Sequence, residues 1–297
     1  MALTPRVTGV TLTAWAGRAT VTHRGVAMEP IACSRMYNVT ARAKRAWHDL
    51  FAWVGRHSGI TLDIIEHAAP APLGALWARE DMGCVFMCGW PFAQAGPQPR
   101  PIAAPLPAAP RYGGRAVYFT DFVVRADRGF ETLEDTFGGR IGWTVEHSHS
   151  GFNAPRHHLL AFRTAARPTL YRESVGPLTT PAGALAAVID SRVDIAPLDS
   201  FALELIARHE PERVADIAVL ASTAATPIPP LVAAPDLDPA ICDALRRAFL
   251  DVGTDPALQS ERQALGLSGF AVPVPDDYRL TTTRSREALE AGYDRPA

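Results

Sequence analysis

"YFTDFVVRADRGFETLEDTFGGRIGWTVEHSHSGFNAPRHHLL", residues 118–160, decides how the chain is read. It opens on a β-branched and aromatic run, Tyr118 to Val124, suited to a strand long enough to pass between two domains. Thr132 and Asp135 stand at near capping-box spacing and predict a short helix. Gly138 and Gly139 punctuate it, and a second strand follows to about Val145. Pro155 marks the start of another helix. Between strand and helix lies "EHSHSGFN", a turn rich in hydroxyls, histidines and glycine.

Such a strand-to-helix turn suits an anion. Backbone N–H groups and the positive helix end point out of it. Ser148 and Ser150 add hydroxyl donors, and Gly151 permits close backbone approach. A capped β-α turn with no ligand is the competing reading. Of the histidines, His147 and His149 are two apart, and His157 and His158 are adjacent, about 100° apart on a helix. No metal-ligand spacing such as HExxH occurs, so no metal is expected. His149, between the two serines, is the histidine singled out for a ligand.

Outward from this stretch the pattern is β-α on both sides. "PIACSRMYNVT", "ITLDIIEH" and "MGCVFMCGW" read as strands, separated by a helix with Ala43, Trp47, Leu50, Phe51 and Val54 at helical spacing and by a shorter one at "APLGALWARED". "AQAGPQPRPIAAPLPAAPRYGG" is dense in proline and reads as a connection. "VDIAPL" is a strand between two helices, and "VADIAVLASTAATPIPPLVA" supplies two more. The expected class is α/β, with mostly parallel sheets flanked by helices.

Composition narrows the function. The chain has 297 residues, 47% hydrophobic and 20% charged, with net charge −2. No stretch approaches the ~20 apolar residues of a membrane helix, and nucleic acid has no electrostatic attraction to this chain. Lys44 is the one lysine. It has no glycine-rich loop around it, which argues against a phosphate-loop or Schiff-base role and for a helix-face lysine. Cys84 and Cys88, read as one strand, are spaced about 13 Å apart at ~3.3 Å per residue, too far for a disulfide. They are expected as small buried hydrophobes. Residues 1–27 alternate and carry arginines, so they read as a degenerate leader or as sequence upstream of a start at Met28.

The segment 118–160 resembles phosphonate-type ABC-transporter substrate-binding proteins: a hinge strand, an acidic short helix, a strand, then a serine-rich turn ending in Ser-Gly-aromatic. "AGALAAVIDSRVDIAPLDS", 182–200, and the return segment "TPIPPLVA", 226–233, continue the likeness in order and spacing from Pro30 to Val252. The resemblance implies a two-lobed periplasmic-binding-protein-like fold with two hinge crossings. Residues 28–118 with 223–297 would form lobe I, and 119–222 lobe II. It implies a ligand held between the lobes, a phosphonate-like or zwitterionic small anion, no cofactor, an ABC permease as partner, a monomer and a periplasmic location. The illegible signal peptide keeps a cytoplasmic location open.

The family's Ser-Thr-Ser against the phosphonate oxygens falls on Ser148, His149 and Ser150. Its ligand-amine aspartate falls on Asp199, which also suits a helix N-cap. Its histidine before the following helix is Pro181 here, leaving Thr180 as the nearest polar substitute. From lobe I, Tyr37 and Trp90 follow strand ends, where open α/β sheets bind ligands. Core packing for Trp90 and a solvent-facing loop for Tyr37 are the alternatives. No nucleophile with its base is legible. An enzyme on the same fold, similar to histidine-using pyrimidine-precursor synthases, is the other reading, motivated by "HSHSG" and "PRHH".

Overall fold

A computed structural model describes residues 28–96 and 98–297. The candidate leader, 1–27, lies outside the described residues. Lobe I begins with β1 (Ile31–Cys33) and α1 (Ala41–Ser58), then β2 (Asp63–Ile64), α2 (Leu73–Trp77), β3 (Met82–Phe86), α3 (Gly89–Gln94) and β4 (Arg100–Pro107). Thr40 caps α1, its hydroxyl accepting from the Ala43 N–H at 3.1 Å. Gly59, at φ 71°, ends the helix in a left-handed turn that glycine adopts without strain. The predicted face of α1 is the buried one: Trp47, Leu50, Phe51 and Val54 are all fully buried. Trp47 packs with Tyr37, Phe86 and Phe270 in the lobe I core.

β5 (Val117–Tyr118) leads across to lobe II, which holds β6 (Thr120–Arg125), β7 (Arg140–Gly142), α4 (Ala154–Leu159), β8 (Glu173–Val175), α5 (Pro181–Ile189), β9 (Ile195–Asp199), α6 (Ser200–His209) and β10 (Ile217–Ser222). β11 (Thr226–Pro227) returns, pairing antiparallel with β5, so the two crossings run side by side. Lobe I is completed by β12 (Leu231–Ala233), α7 (Pro239–Asp251), α8 (Gln259–Leu265) and β13 (Leu267–Ala271). The sheet orders are β13-β4-β12-β3-β1-β2 and β10-β6-β9-β7-β8. Parallel pairing joins β1 to β2 and β3, and β7 to β8 and β9. The strands adjoining the crossings pair antiparallel: β12 with β3 and β4, and β6 with β9 and β10.

Two segments differ from the sequence expectation. The proline-dense connection contains a strand, β4, despite Pro101, Pro105 and Pro107. Its first half pairs with β12 and its second with β13, so each half leaves one edge unpaired, where a missing N–H costs no ladder bond. The second is the C-terminus, expected in lobe I. Tyr278 still anchors there, its hydroxyl donating to the Ile228 carbonyl at 2.8 Å. From there α9 (Arg279–Glu290) crosses to lobe II. Tyr293 enters a lobe II core cluster with Phe122, Ile141 and Leu159, and the Leu170 N–H donates to the Ala297 carbonyl. Arg156, 2% exposed, donates to the Asp294 carbonyl and to Ser285 Oγ. The tail is thus a third link between the lobes.

Candidate functional site

Five chain reversals at strand ends meet between the lobes. From lobe I come the 3-10 turn Arg35–Tyr37 after β1 and Cys88 after β3. From lobe II come the segment 144–151 after β7, the approach to α5 and the β9–α6 junction. The first four, with Trp77 at the end of α2, enclose a cavity of about 50 Å³ lined by Arg35, Trp77 and Cys88 on one side and Thr144, His147, Ser148, Ser150 and Thr180 on the other; the β9–α6 junction is not part of its lining.

The serine turn is a π-helical turn, His149–Asn153, running straight into α4. Ser148 caps it: its Oγ accepts from the Gly151 N–H at 2.9 Å. Because that bond uses a lone pair, the Ser148 proton is free to be donated elsewhere. Thr180 does the same for α5, accepting from the Gly183 N–H at 2.9 Å. Ser150 also lines the cavity, while its carbonyl is held by Thr120 Oγ1 at 3.0 Å. Gly151 packs behind the turn against Thr144.

His149 contributes by its backbone. Its N–H donates to Cys88 Sγ at 3.1 Å, a direct contact between lobes. Its ring turns away and is 1% exposed. Asn153 Nδ2 donates to Nδ1 at 3.1 Å, which assigns the ring proton to Nε2. Burial, with the Arg284 and His157 charges behind it, pushes the imidazole down to about 3. It is therefore neutral, and an imidazolium contact from His149 to an anion is not available near pH 7. His157 reaches Glu287 at 2.7 Å on the surface, and His158 packs by Phe122. Among the described residues no group of three or more His, Cys, Asp or Glu is placed to hold a metal ion.

Tyr37 and Asp199 join the lobes at depth. Both are buried, and the Tyr37 hydroxyl donates to Asp199 Oδ2 at 3.3 Å. Tyr37 is thus no loop residue: its ring meets Phe86 and Phe201 edge-on. Asp199 caps α6, its Oδ1 accepting from the Ala202 N–H at 3.0 Å. Burial lifts its carboxyl to about 7, against the opposing pull of the Ala202 and Phe201 N–H groups and Tyr37. Trp90 faces elsewhere. It lines a separate cavity of about 290 Å³ with Trp143 and Arg156, whose guanidinium carbon lies 5.9 Å from the Trp90 ring centre.

Sequence reasoning missed Arg35, Thr144, His147, Trp77 and Cys88. Cys88 was read within a strand, yet β3 ends at Phe86 and Cys88 is the residue before α3. The glycine that follows it was the signal for that stop. Burial pushes its thiol up to about 11, so it is a neutral acceptor at pH 7. Arg35 stands two residues before Tyr37, in "SRMYN", and no period or cap in that stretch marked it.

Serine hydroxyls, cap N–H groups and a guanidinium meeting between two hinged lobes fit a receptor for a small oxyanion. The family profile described as "ABC transporter, phosphonate, periplasmic substrate-binding protein" matches residues 37–278. The chain belongs to this family. Solved structures share its fold. A binding protein component of an ABC phosphonate transporter from Pseudomonas aeruginosa is 16% identical, with TM-score 0.74 over 89% of this chain and 88% of that one. PhnD1 from Prochlorococcus marinus, in complex with methylphosphonate, is 14% identical, with TM-score 0.70 over 88% and 98%. A Xanthomonas citri protein bound to ATP is 18% identical, with TM-score 0.60 over 89% and 98%. Sequence comparison with curated proteins found no match. As a phosphonate-type substrate-binding protein, the chain has the two-lobed fold that the resemblance implied, and the family gives no ground for the enzyme reading.

For this substrate-binding protein Ser148→Ala is expected to act twice. Losing the cap costs about 1 kcal/mol of stability, and losing the hydroxyl donor weakens methylphosphonate binding by roughly tenfold or more. Ser150→Ala, which caps nothing, should show the binding loss with little change in melting. Calorimetric titration beside thermal melts separates the two. Normal binding by both variants would make the turn a structural junction only.

Proposed function

We propose that the protein captures a phosphonate-like oxyanion between its lobes and delivers it to an ABC permease, working as a periplasmic monomer that leaves its ligand chemically unchanged. The observation that carries this reading is the lining of the interlobe cavity: hydroxyls of Ser148, Ser150, Thr144 and Thr180 with the Arg35 guanidinium, and no carboxylate. Two of those hydroxyls already accept a helix-end N–H, so each has its proton to give. Donors supplied by both lobes bind a ligand fully only when the lobes are together, and that differential affinity is what closes a hinge.

Calorimetric titration with methylphosphonate and inorganic phosphate tests it, joined to mass spectrometry of the ligand after incubation. Saturable binding near one per chain with intact ligand is the expected result. A converted product at repeated turnover, or no binding of any oxyanion, would overturn the reading.

A further inference from the structure

Arg35 is the charged group of the interlobe cavity that the serine turn does not explain. It is half-buried, and its Nε is buried with no hydrogen-bond partner. The titratable neighbour bearing on it is the Cys33 thiol, and burial lowers its pKa; no carboxylate weighs on it among the described residues. A guanidinium withdrawn from water without a counter-ion is costly, and an anionic ligand offsets that cost. Thr144, 6% exposed and lining the same cavity, has its hydroxyl unpartnered as well.

Arg35 also stands between two chambers. The inner one, about 50 Å³, is the site described above. An outer one of about 270 Å³ lies beside it, and the two share Arg35, Met36, Thr180 and Pro181. Ala182 lines only the outer chamber, as do Lys44 and Glu66, which form an ion pair. The inner chamber has room only for a compact head group. The outer one has room for several further heavy atoms.

We propose that the ligand is an elongated organophosphonate or phosphate monoester, with its head in the inner chamber and its substituent running past Met36 and Pro181 into the outer one. Arg35 supplies the counter-charge at the neck, its planar fork matching two oxygens of the head group. The inference rests on reading the interlobe cavity as an oxyanion site.

The test compares methylphosphonate with n-hexylphosphonate by calorimetric titration on the wild type, Arg35→Gln, Arg35→Lys and Ala182→Trp, with circular dichroism and melting as the check on folding. The wild type is expected to bind the hexyl ligand at least tenfold tighter. Ala182→Trp fills the outer chamber and should bring that ratio near one. Arg35→Gln should weaken both ligands roughly tenfold to a hundredfold. Should it fail to fold, Arg35→Lys serves instead, with a smaller loss because the charge stays and the fork goes. Equal affinity for the two ligands in the wild type overturns the elongated ligand. Wild-type affinity in a folded Arg35 variant overturns the role of Arg35. If no phosphonate binds the wild type, the oxyanion reading itself falls, and this inference with it.

Discussion

At pH 8, Asp199→Asn is expected to melt several degrees above the wild type, and at pH 4 to melt with it. The carboxyl is fully buried and raised from 3.8 to about 7, first by desolvation. Between those values the folded protein holds a proton that the unfolded chain has released. Fewer protons on the unfolded state mean that stability falls as pH rises from about 4 to about 7, and levels off above. About three pKa units correspond to a ceiling of ~4 kcal/mol. Asparagine keeps the cap, since its amide oxygen accepts the Ala202 N–H, and it never ionises. The difference in melting temperature between variant and wild type should therefore grow across that window. A difference constant with pH would mean that Asp199 is not the buried acid described here.

This cost has a functional side. Asp199 is buried and does not line the interlobe cavity, so a ligand cation reaches it only when the side chains between them give way; its reluctant carboxylate would then become comfortable beside that cation. The resemblance placed a ligand amine against Asp199. On that account the wild type and Asp199→Asn should differ most for amino-substituted phosphonates, and little for methylphosphonate. Affinity for an amino-substituted ligand should rise with pH through about 7 in the wild type alone.

What was legible in the sequence, and what was not, follows from which forces leave a local pattern. The serine turn was legible because strand, glycine and helix-start residues each bear a period or a cap that acts within a few residues. Asp199 was legible as a cap for the same reason and caps in the structure, whereas Ser148 and Thr180, read only as ligand donors, turn out to cap as well. The direction of His149 was not. A π-helical turn shifts side chains off the usual helical spacing, so sequence neighbours of Ser148 and Ser150 need not share their face.

Longer-range features left fainter traces. The crossing of α9 to lobe II is carried by Thr281, Ser285 and Ala288, its buried residues. They recur at four and three, yet none is a large hydrophobe, so the stripe is invisible to a search for apolar periodicity. What binds this helix is polar: Asn153 Nδ2 donates to the Thr281 carbonyl at 2.8 Å, and Arg156 to Ser285 Oγ at 3.0 Å. Both donors belong to the serine turn and its helix, so the tail braces the same element that presents the ligand hydroxyls. Arg35 was hidden for the opposite reason. Its significance lies in the partner it lacks, and a missing partner can be read only when the fold is known.

Gly151→Ala is expected to disable the site outright. A Cβ at position 151 would stand 1.9 Å from Thr144 Oγ1 and 2.9 Å from the Thr144 Cβ and Cγ2. None of these is the tip of a long side chain that swings aside, since Thr144 is 6% exposed just beyond the end of β7. The turn must lift from the strand, and it is held there by the Thr144 N–H on the Gly151 carbonyl and by the Ser148 cap on the Gly151 N–H. Overpacking of this kind costs about 1–3 kcal/mol or more. Lifting the turn also displaces Ser148 and Ser150 together, so methylphosphonate affinity should fall by at least a hundredfold, more than either serine variant alone. Thr144→Ala removes two of the three clashing atoms and leaves one at 2.9 Å. The double variant should therefore melt above Gly151→Ala, a coupling that independent sites do not show. Its binding should recover only in part, because the Thr144 hydroxyl lines the same cavity. A Gly151→Ala protein that melts and binds as the wild type does would mean that the turn and the strand end are not packed as described.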